Sequence, residues 1–333
     1  MTRRRSIFPT VSKLLLLAMC VSAPPMVRLA AAQAARIEIH SIETMTLTDQ
    51  QFLTGDKNGK PAIIGGELRL PPGTGRFPAV ILVHGSGGVG ANVDRWAQEL
   101  NGIGVAVFTL DTFTGRGIVQ TVTDQSQLGH LAMIADAYRA FALLAKHSRI
   151  EPSRIGLMGF SKGGDVALHA SIKRFQRMHA TAGVEFAAYI PFYTPCNTTY
   201  IEDDQVSDRP IRLFHGAADD YVPVESCRQY VKQLQGLGKD IQLTEYAGAR
   251  HAFDNPLFPP VLQLPDAQIR SRRCLLEERP GGQVINRETG KPFTFDDPCI
   301  DRGASVGYDA NAHAEATRAV KEFLISLWKL KTP

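Results

Sequence analysis

Ala79-Val80-Ile81-Leu82-Val83 is an unbroken apolar run that ends on His84-Gly85-Ser86-Gly87-Gly88. A strand with one face in water alternates apolar and polar residues. One without that alternation has to be covered on both faces, as in the interior of a parallel sheet with helices above and below it. The remainder of the chain is patterned to suit. Pro61 to Leu70 and Phe77 to His84 read as strands, followed by a helix from about Asn92 to Leu100, a strand Val105 to Leu110 and a long helix near Gln125 to His147. Next come the apolar run Ile155 to Met158, a helix-like stretch Asp165 to Phe175, and strands Phe186 to Phe192 and Ile211 to His215. A helix Val224 to Leu237, a strand Ile241 to Tyr246 and a last helix Asn311 to Trp328 close the series. Alternation of this length predicts an α/β fold with a mainly parallel central sheet flanked by helices.

Residues 255–303 break the rhythm. They are rich in proline, arginine and glycine, show no periodic segment, and contain Cys274 and Cys299. A stretch this long without structure of its own inside a compact domain is either a functional lid or an ornament stapled by a disulfide. It is expected as one long insertion, or lid-like loop, before the C-terminal helix and not as a separate domain.

The first 34 residues have a different character. A basic start, an apolar stretch Leu14 to Val21 and small residues around Ala30 to Ala35 match a signal peptide, with Ala32-Gln33-Ala34 as a cleavage-like site. Arg4-Arg5-Ser6-Ile7-Phe8 also fits a twin-arginine signal. The apolar stretch, interrupted by Ser22, Pro24 and Pro25, is too short to span a bilayer. The chain is therefore expected to be exported, to the periplasm or outside the cell, with residues 35–333 as a single domain and no stable membrane insertion after the leader is removed. Arg3, Arg4, Arg5, Lys13 and Arg28 lie in the leader and no acid does, so losing these five charges takes the formal +4 to −1. Net basicity then belongs to the leader, and nucleic acid is not expected as a partner.

Cys196, Cys227, Cys274 and Cys299 remain, and an oxidising compartment permits two disulfides among three possible pairings. Cys274 with Cys299 and Cys196 with Cys227 is favoured, because the first pair brackets one polar segment. The alternative is four free buried thiols.

Chemistry concentrates in Gly159-Phe160-Ser161-Lys162-Gly163-Gly164, between a predicted strand and a predicted helix. G-x-S-x-G in that setting is a nucleophile elbow. A serine hydroxyl alone is a poor nucleophile, so Ser161 requires a base, an acid to orient it and an oxyanion site. His251, in a loop after the strand Ile241 to Tyr246, is the best-placed base. Asp219 and Asp220, after the strand Ile211 to His215, compete for the acid; helix capping before Val224 is the alternative use of either. The order serine, acid, histidine is that of the α/β-hydrolases. The backbone N–H of Ser86, with Gly87 close behind, and that of Lys162 are the expected oxyanion donors.

The same loop permits another use. Gly85-x-Gly87-x-x-Gly90 follows a strand, precedes a helix and is followed by Asp111 at the end of the next strand, the setting of a dinucleotide fingerprint. An NAD(P)-binding oxidoreductase is thus an alternative, as is a catalytically inactive hydrolase-fold binding protein. With no H-E-x-x-H, no close histidine pair and no C-x-x-C, no metal is expected.

Five segments together resemble the dienelactone hydrolase family of α/β-hydrolases: His84-Gly85-Ser86-Gly87-Gly88; Asp111 with Gly115-Arg116-Gly117; Gly159 to Gly164; His215-Gly216-x-x-Asp219-x-x-Val222-Pro223; and Arg250-His251-Ala252-Phe253. The resemblance spans roughly Pro61 to Asp254 plus the C-terminal helix, and implies an α/β-hydrolase fold, Asp219 as the acid and His251 as the base. Members acting on dienelactone carry a cysteine at the elbow, where this chain has Ser161. Their substrate-binding arginines have no evident counterpart; Arg116 is expected in a structural ion pair with Asp111. Residues 255–303 are longer than the family's usual link. The resulting expectation is a serine hydrolase cleaving small carboxylic esters or lactones through an acyl-enzyme, without a cofactor.

Overall fold

The computed structural model describes residues 1–2, 36–181, 183 and 185–331. The signal-peptide and twin-arginine readings fall on residues 3–35 and lie outside the described residues. Strands β1 (Arg36–Thr46), β2 (Lys60–Leu70), β3 (Phe77–Val83), β4 (Ala106–Asp111), β5 (Ile150–Phe160) and β6 (Ala188–Phe192) come first in the chain. The two-residue β7 (Thr198–Thr199), β8 (Ile211–Gly216) and β9 (Ile241–Tyr246) follow. Eight of these form one sheet in the order β1-β2-β4-β3-β5-β6-β8-β9. β1 and β2 run antiparallel to each other and β2 antiparallel to β4; the remaining pairs are parallel.

Strand β3 shows why its run has no polar residue. Ala79, Ile81 and Val83 point into one core and Val80 and Leu82 into another, one on each side of the sheet. Helices α2 (Ala91–Asn101) and α7 (Ala310–Trp328) cover the second side. α2 buries Val93, Trp96, Ala97 and Leu100, and α7 buries Ala312, Ala316, Val320 and Leu324, in each case a stripe at helical spacing. Asp309 starts α7 by accepting from the N–H groups of Asn311 and Ala312. The first side is covered by α1 (Asp49–Thr54), α3 (His130–Ala145), α4 (Lys162–His169), α5 (Lys173–His179) and α6 (Glu225–Gly236).

Two predicted helices come out differently. Gln125–Gln127 is a separate 3-10 turn, and α3 starts only at His130. The stretch expected as one helix from Asp165 to Phe175 is the pair α4 and α5. Between them Ser171 Oγ donates to Leu168 O at 2.6 Å, Ser207 N donates to Ser171 O and Lys173 N to Gln205 O, so side-chain and cross-chain bonds replace the helical ones.

The largest correction concerns residues 255–303, which are built of strands. β10 (Leu262–Ile269) pairs antiparallel with β13 (Asp301–Val306), and β11 (Leu276–Arg279) forms a hairpin with β12 (Gln283–Asn286) while running parallel to β7. The sequence hides this because β10 is bulged between Leu264 and Gln268, around Pro265, so its alternation changes phase midway. Disulfides join Cys274 to Cys299 within this region and Cys196 to Cys227, which fastens the segment after β6 to α6. Glu278, buried on β11, also holds Arg174 of α5. Among the described residues no helix is long and apolar enough to cross a membrane.

Candidate active site

Ser161 stands between β5 and α4 with φ 54° and ψ −114°, a conformation that costs a non-glycine residue free energy and exposes its side chain at the sheet's edge. The surrounding glycines are required by close packing. A Cβ on Gly159 would lie 1.8 Å from Gly163 O, and one on Gly163 would lie 2.1 Å from Val83 O. The turn is held from outside as well, since Ser161 N donates to Phe192 O at 3.0 Å.

His251 places Nε2 2.9 Å from Ser161 Oγ and Nδ1 2.7 Å from Asp219 Oδ2. The other carboxylate oxygen of Asp219 accepts from Tyr221 N at 2.9 Å and Val222 N at 2.7 Å, which fixes the plane of the carboxylate. Burial opposes ionisation of Asp219, but His251 and His215 beside it bring its pKa down to about 2. It is therefore a carboxylate at neutral pH. Asp220, the competing acid, faces away and accepts from Ser305 N and Oγ, both at 2.9 Å. One aspartate thus meets the imidazole while its neighbour fastens β13.

The backbone of His251 is tethered. It pairs with Val306 at the end of β13, its carbonyl accepts from Gly307 N at 3.1 Å, and Arg250 donates to Ser305 Oγ at 2.7 Å. Aromatic rings bracket the imidazole, Tyr193 and Tyr221 each with ring centroids 4.8 Å from it. Tyr193 is in turn fixed by donating to the buried Asp254 at 2.7 Å, whose second oxygen accepts from Trp96 Nε1 at 2.7 Å. Sequence reasoning missed this support, although Asp254 lies only three residues after His251.

Ser86 and Lys162 both line the cavity that opens beside Ser161, together with His130, Asp165 and Tyr200. The cavity measures about 80 Å³, and the strand-rich insertion supplies part of its wall through Gln268, Arg270, Phe293 and Phe295. Lys162 heads α4, where backbone N–H groups lack helical partners. Its side chain turns back to donate to Leu128 O at 2.7 Å. Burial, with the Arg270 guanidinium nearby, pushes its pKa down to about 7.

Among the described residues, two groupings that no sequence motif announced could hold a metal: Glu38, His40 and His147, and the buried His130, Asp165 and His169. In the second, His169 Nδ1 lies 2.6 Å and His130 Nδ1 3.4 Å from Asp165 carboxylate oxygens. Burial drives His130 down to about 3 against the pull of Asp165, so it is neutral. Arg270 already reaches the same carboxylate, and also donates to Thr198 Oγ1 at 2.9 Å. A guanidinium beside the carboxylate repels a divalent cation, so this grouping acts as the anchor of Arg270.

Arg116 does not pair with Asp111. It makes a two-pronged contact with Asp136 of α3, Nη1 to Oδ2 at 2.7 Å and Nη2 to Oδ1 at 3.0 Å, with both side chains buried. Asp111 instead accepts from Phe113 N and Thr114 N, both at 2.9 Å. That turn occupies the acid a dinucleotide would need for its ribose, and Gly85 packs against Phe160 O and Ser161 Cβ. The glycine loop therefore belongs to the elbow.

Strand order, elbow and helix layers define an α/β-hydrolase. Within that class a model of the dienelactone hydrolase family matches residues 64–327, and the chain belongs to that family. Over 117 residues it is 33% identical to acyl-coenzyme A thioesterase 6 of Mus musculus, covering 35% of this chain and 25% of the thioesterase, so it spans about a quarter of that relative's length. Over 209 residues it is 26% identical to a Bradyrhizobium protein named "Probable 2-oxo-3-(5-oxofuran-2-ylidene)propanoate lactonase", covering 56% of this chain and 80% of that one. A crystal structure of a dienelactone hydrolase-like promiscuous phosphotriesterase from metagenomic libraries superposes with a TM-score of 0.57 at 17% identity. The match covers 87% of this chain and 98% of the other, and speaks for the fold alone.

Proposed function

We propose that this hydrolase cleaves small carboxylic esters or lactones through an acyl-enzyme on Ser161. The observation that carries the reading is the continuous hydrogen-bonded line Ser161 Oγ, His251 Nε2, His251 Nδ1, Asp219 Oδ2, at 2.9 and 2.7 Å. In the reaction Oγ bonds to the carbonyl carbon while Nε2 takes its proton, and Asp219 stabilises the imidazolium so formed. The backbone N–H groups of Ser86 and Lys162 receive the negative carbonyl oxygen. Collapse breaks the bond to the alcohol oxygen, which takes the proton from His251; water then repeats the sequence and releases the acid. A hydroxyl nucleophile at the elbow favours ordinary esters over the dienelactone for which the family uses a thiol.

Export is part of the same proposal, supported by two disulfides that persist only in an oxidising compartment. Ser161→Ala is expected to lower turnover of p-nitrophenyl acetate by several orders of magnitude, with unchanged circular dichroism and no labelling by a fluorophosphonate. Near-normal turnover by that variant would sink the assignment.

A further inference from the structure

Residues 121–128 touch each part of the proposed site except the triad itself. Thr121 N donates to Ser86 O at 2.7 Å, and the Gln125 amide lies on the Ser86 hydroxyl, with Nε2 3.0 Å from Oγ. Lys162 reaches the same segment, donating Nζ to Leu128 O at 2.7 Å and to Gln125 O at 3.4 Å. The insertion grips it from the third side. Gln268 of β10 accepts from Gln125 N through Oε1 at 2.7 Å and donates its own N–H to Val122 O at 2.9 Å.

Ser86, Thr121, Gln125 and Gln268 are all buried. Polar groups out of water depend on their partners, so each of these bonds constrains the conformation of the groups it joins. Ser86 is held at both its carbonyl and its hydroxyl, and the peptide plane that carries its N–H is held through Gly85 O, which accepts from Gly88 N at 3.1 Å. The chain of contacts runs from β10 through Gln268 and Gln125 to the oxyanion loop.

We propose that Gln125 is a positioning residue for the oxyanion loop and that Gln268 of the insertion orders it, so that the insertion completes the oxyanion site as well as covering it. This rests on the serine-hydrolase reading above. An oxyanion donor contributes only when aimed at the charge that develops in the transition state. Losing one lowers turnover by about 10²–10³, and misplacing a group by about 1 Å costs about 10². Freeing the Ser86 loop should therefore act on turnover far more than on binding.

The test is steady-state hydrolysis of p-nitrophenyl acetate by Gln125→Met, Gln268→Met, Ser86→Ala and the double variant Gln125→Met/Ser86→Ala, with melting curves for each. Gln125→Met and Gln268→Met should lower kcat by about 10- to 100-fold and leave KM within about threefold. Gln125→Met and Ser86→Ala remove opposite ends of one hydrogen bond, so the double variant should lose little more than the worse single one. If Gln125→Met melts early, Gln268→Met carries the same comparison from the insertion side. Turnover within about twofold of the parent in both glutamine variants, or additive losses in the double variant, overturns the positioning role. If Ser161→Ala is inactive when that happens, only this role falls; if Ser161→Ala stays active, the serine-hydrolase reading falls with it.

Discussion

Replacing Asp219 by asparagine isolates the electrostatic part of the proposed triad. Asparagine keeps an oxygen for the N–H groups of Tyr221 and Val222, so the loop retains its shape. What changes is the side facing His251, where an acceptor 2.7 Å from Nδ1 gives way to an NH₂ donor. The imidazolium then loses a carboxylate whose charge lies about 4 Å away, worth roughly 4 kcal/mol at an effective dielectric of about 20. That alone is about a thousandfold in rate. The amide also favours the tautomer with its proton on Nε2, which cannot take the Ser161 proton, and about a further tenfold follows. Expected together is a fall of about 10³- to 10⁴-fold in kcat for p-nitrophenyl acetate, with KM nearly unchanged and unaltered near-ultraviolet circular dichroism. A loss smaller than about tenfold in a folded variant would refute the claim that Asp219 ionisation drives the base.

Other consequences concern stability. Cys274 and Cys299 are 25 residues apart, and opening that loop by the double serine variant should destabilise by about 3.5 kcal/mol in urea melts; a change under about 1 kcal/mol contradicts the chain-entropy estimate. Arg116→Met strands the buried Asp136 carboxylate and should cost about 3–5 kcal/mol, most of which a second change, Asp136→Leu, recovers. Persistent destabilisation in the double variant would mean that packing, not charge, is what Arg116 supplies. Asp219, lowered from 3.8 to about 2, adds roughly 2 kcal/mol of stability that is complete above about pH 4 and lost as pH falls through about 2. The stability advantage of the parent over Asp219→Asn should shrink across that window, and an advantage that persists below pH 2 would refute the linkage.

The parallel sheet could be read from the chain because its cause is local: Ala79 to Val83 cannot be half-exposed wherever it sits. The elbow was equally legible, since Gly159, Ser161 and Gly163 are close in sequence and their packing is a property of one turn. Strand β1 was not anticipated, because its most regular apolar residues, Ile37 and Ile39, face outward while its buried positions begin only at Ile42. Partners set by distant segments were also out of reach. Asp136 lies on a helix that only the fold brings to Arg116, and the Asp165 to Arg270 contact joins α4 to the insertion. In the insertion itself, four-residue strands and a proline bulge leave too short a period to recognise.

The pairing of His251 with Val306 has a consequence for how the protein comes into being. During synthesis Ser161, Asp219 and His251 leave the ribosome well before the strand that holds the histidine backbone. A nascent chain ending between His251 and β13 carries all three side chains without the strand that joins them. The proposed activity should therefore switch on late, when the insertion has closed and Cys299 has found Cys274. For a chain exported as proposed, that timing would keep the site inert until the disulfide forms outside the cytoplasm.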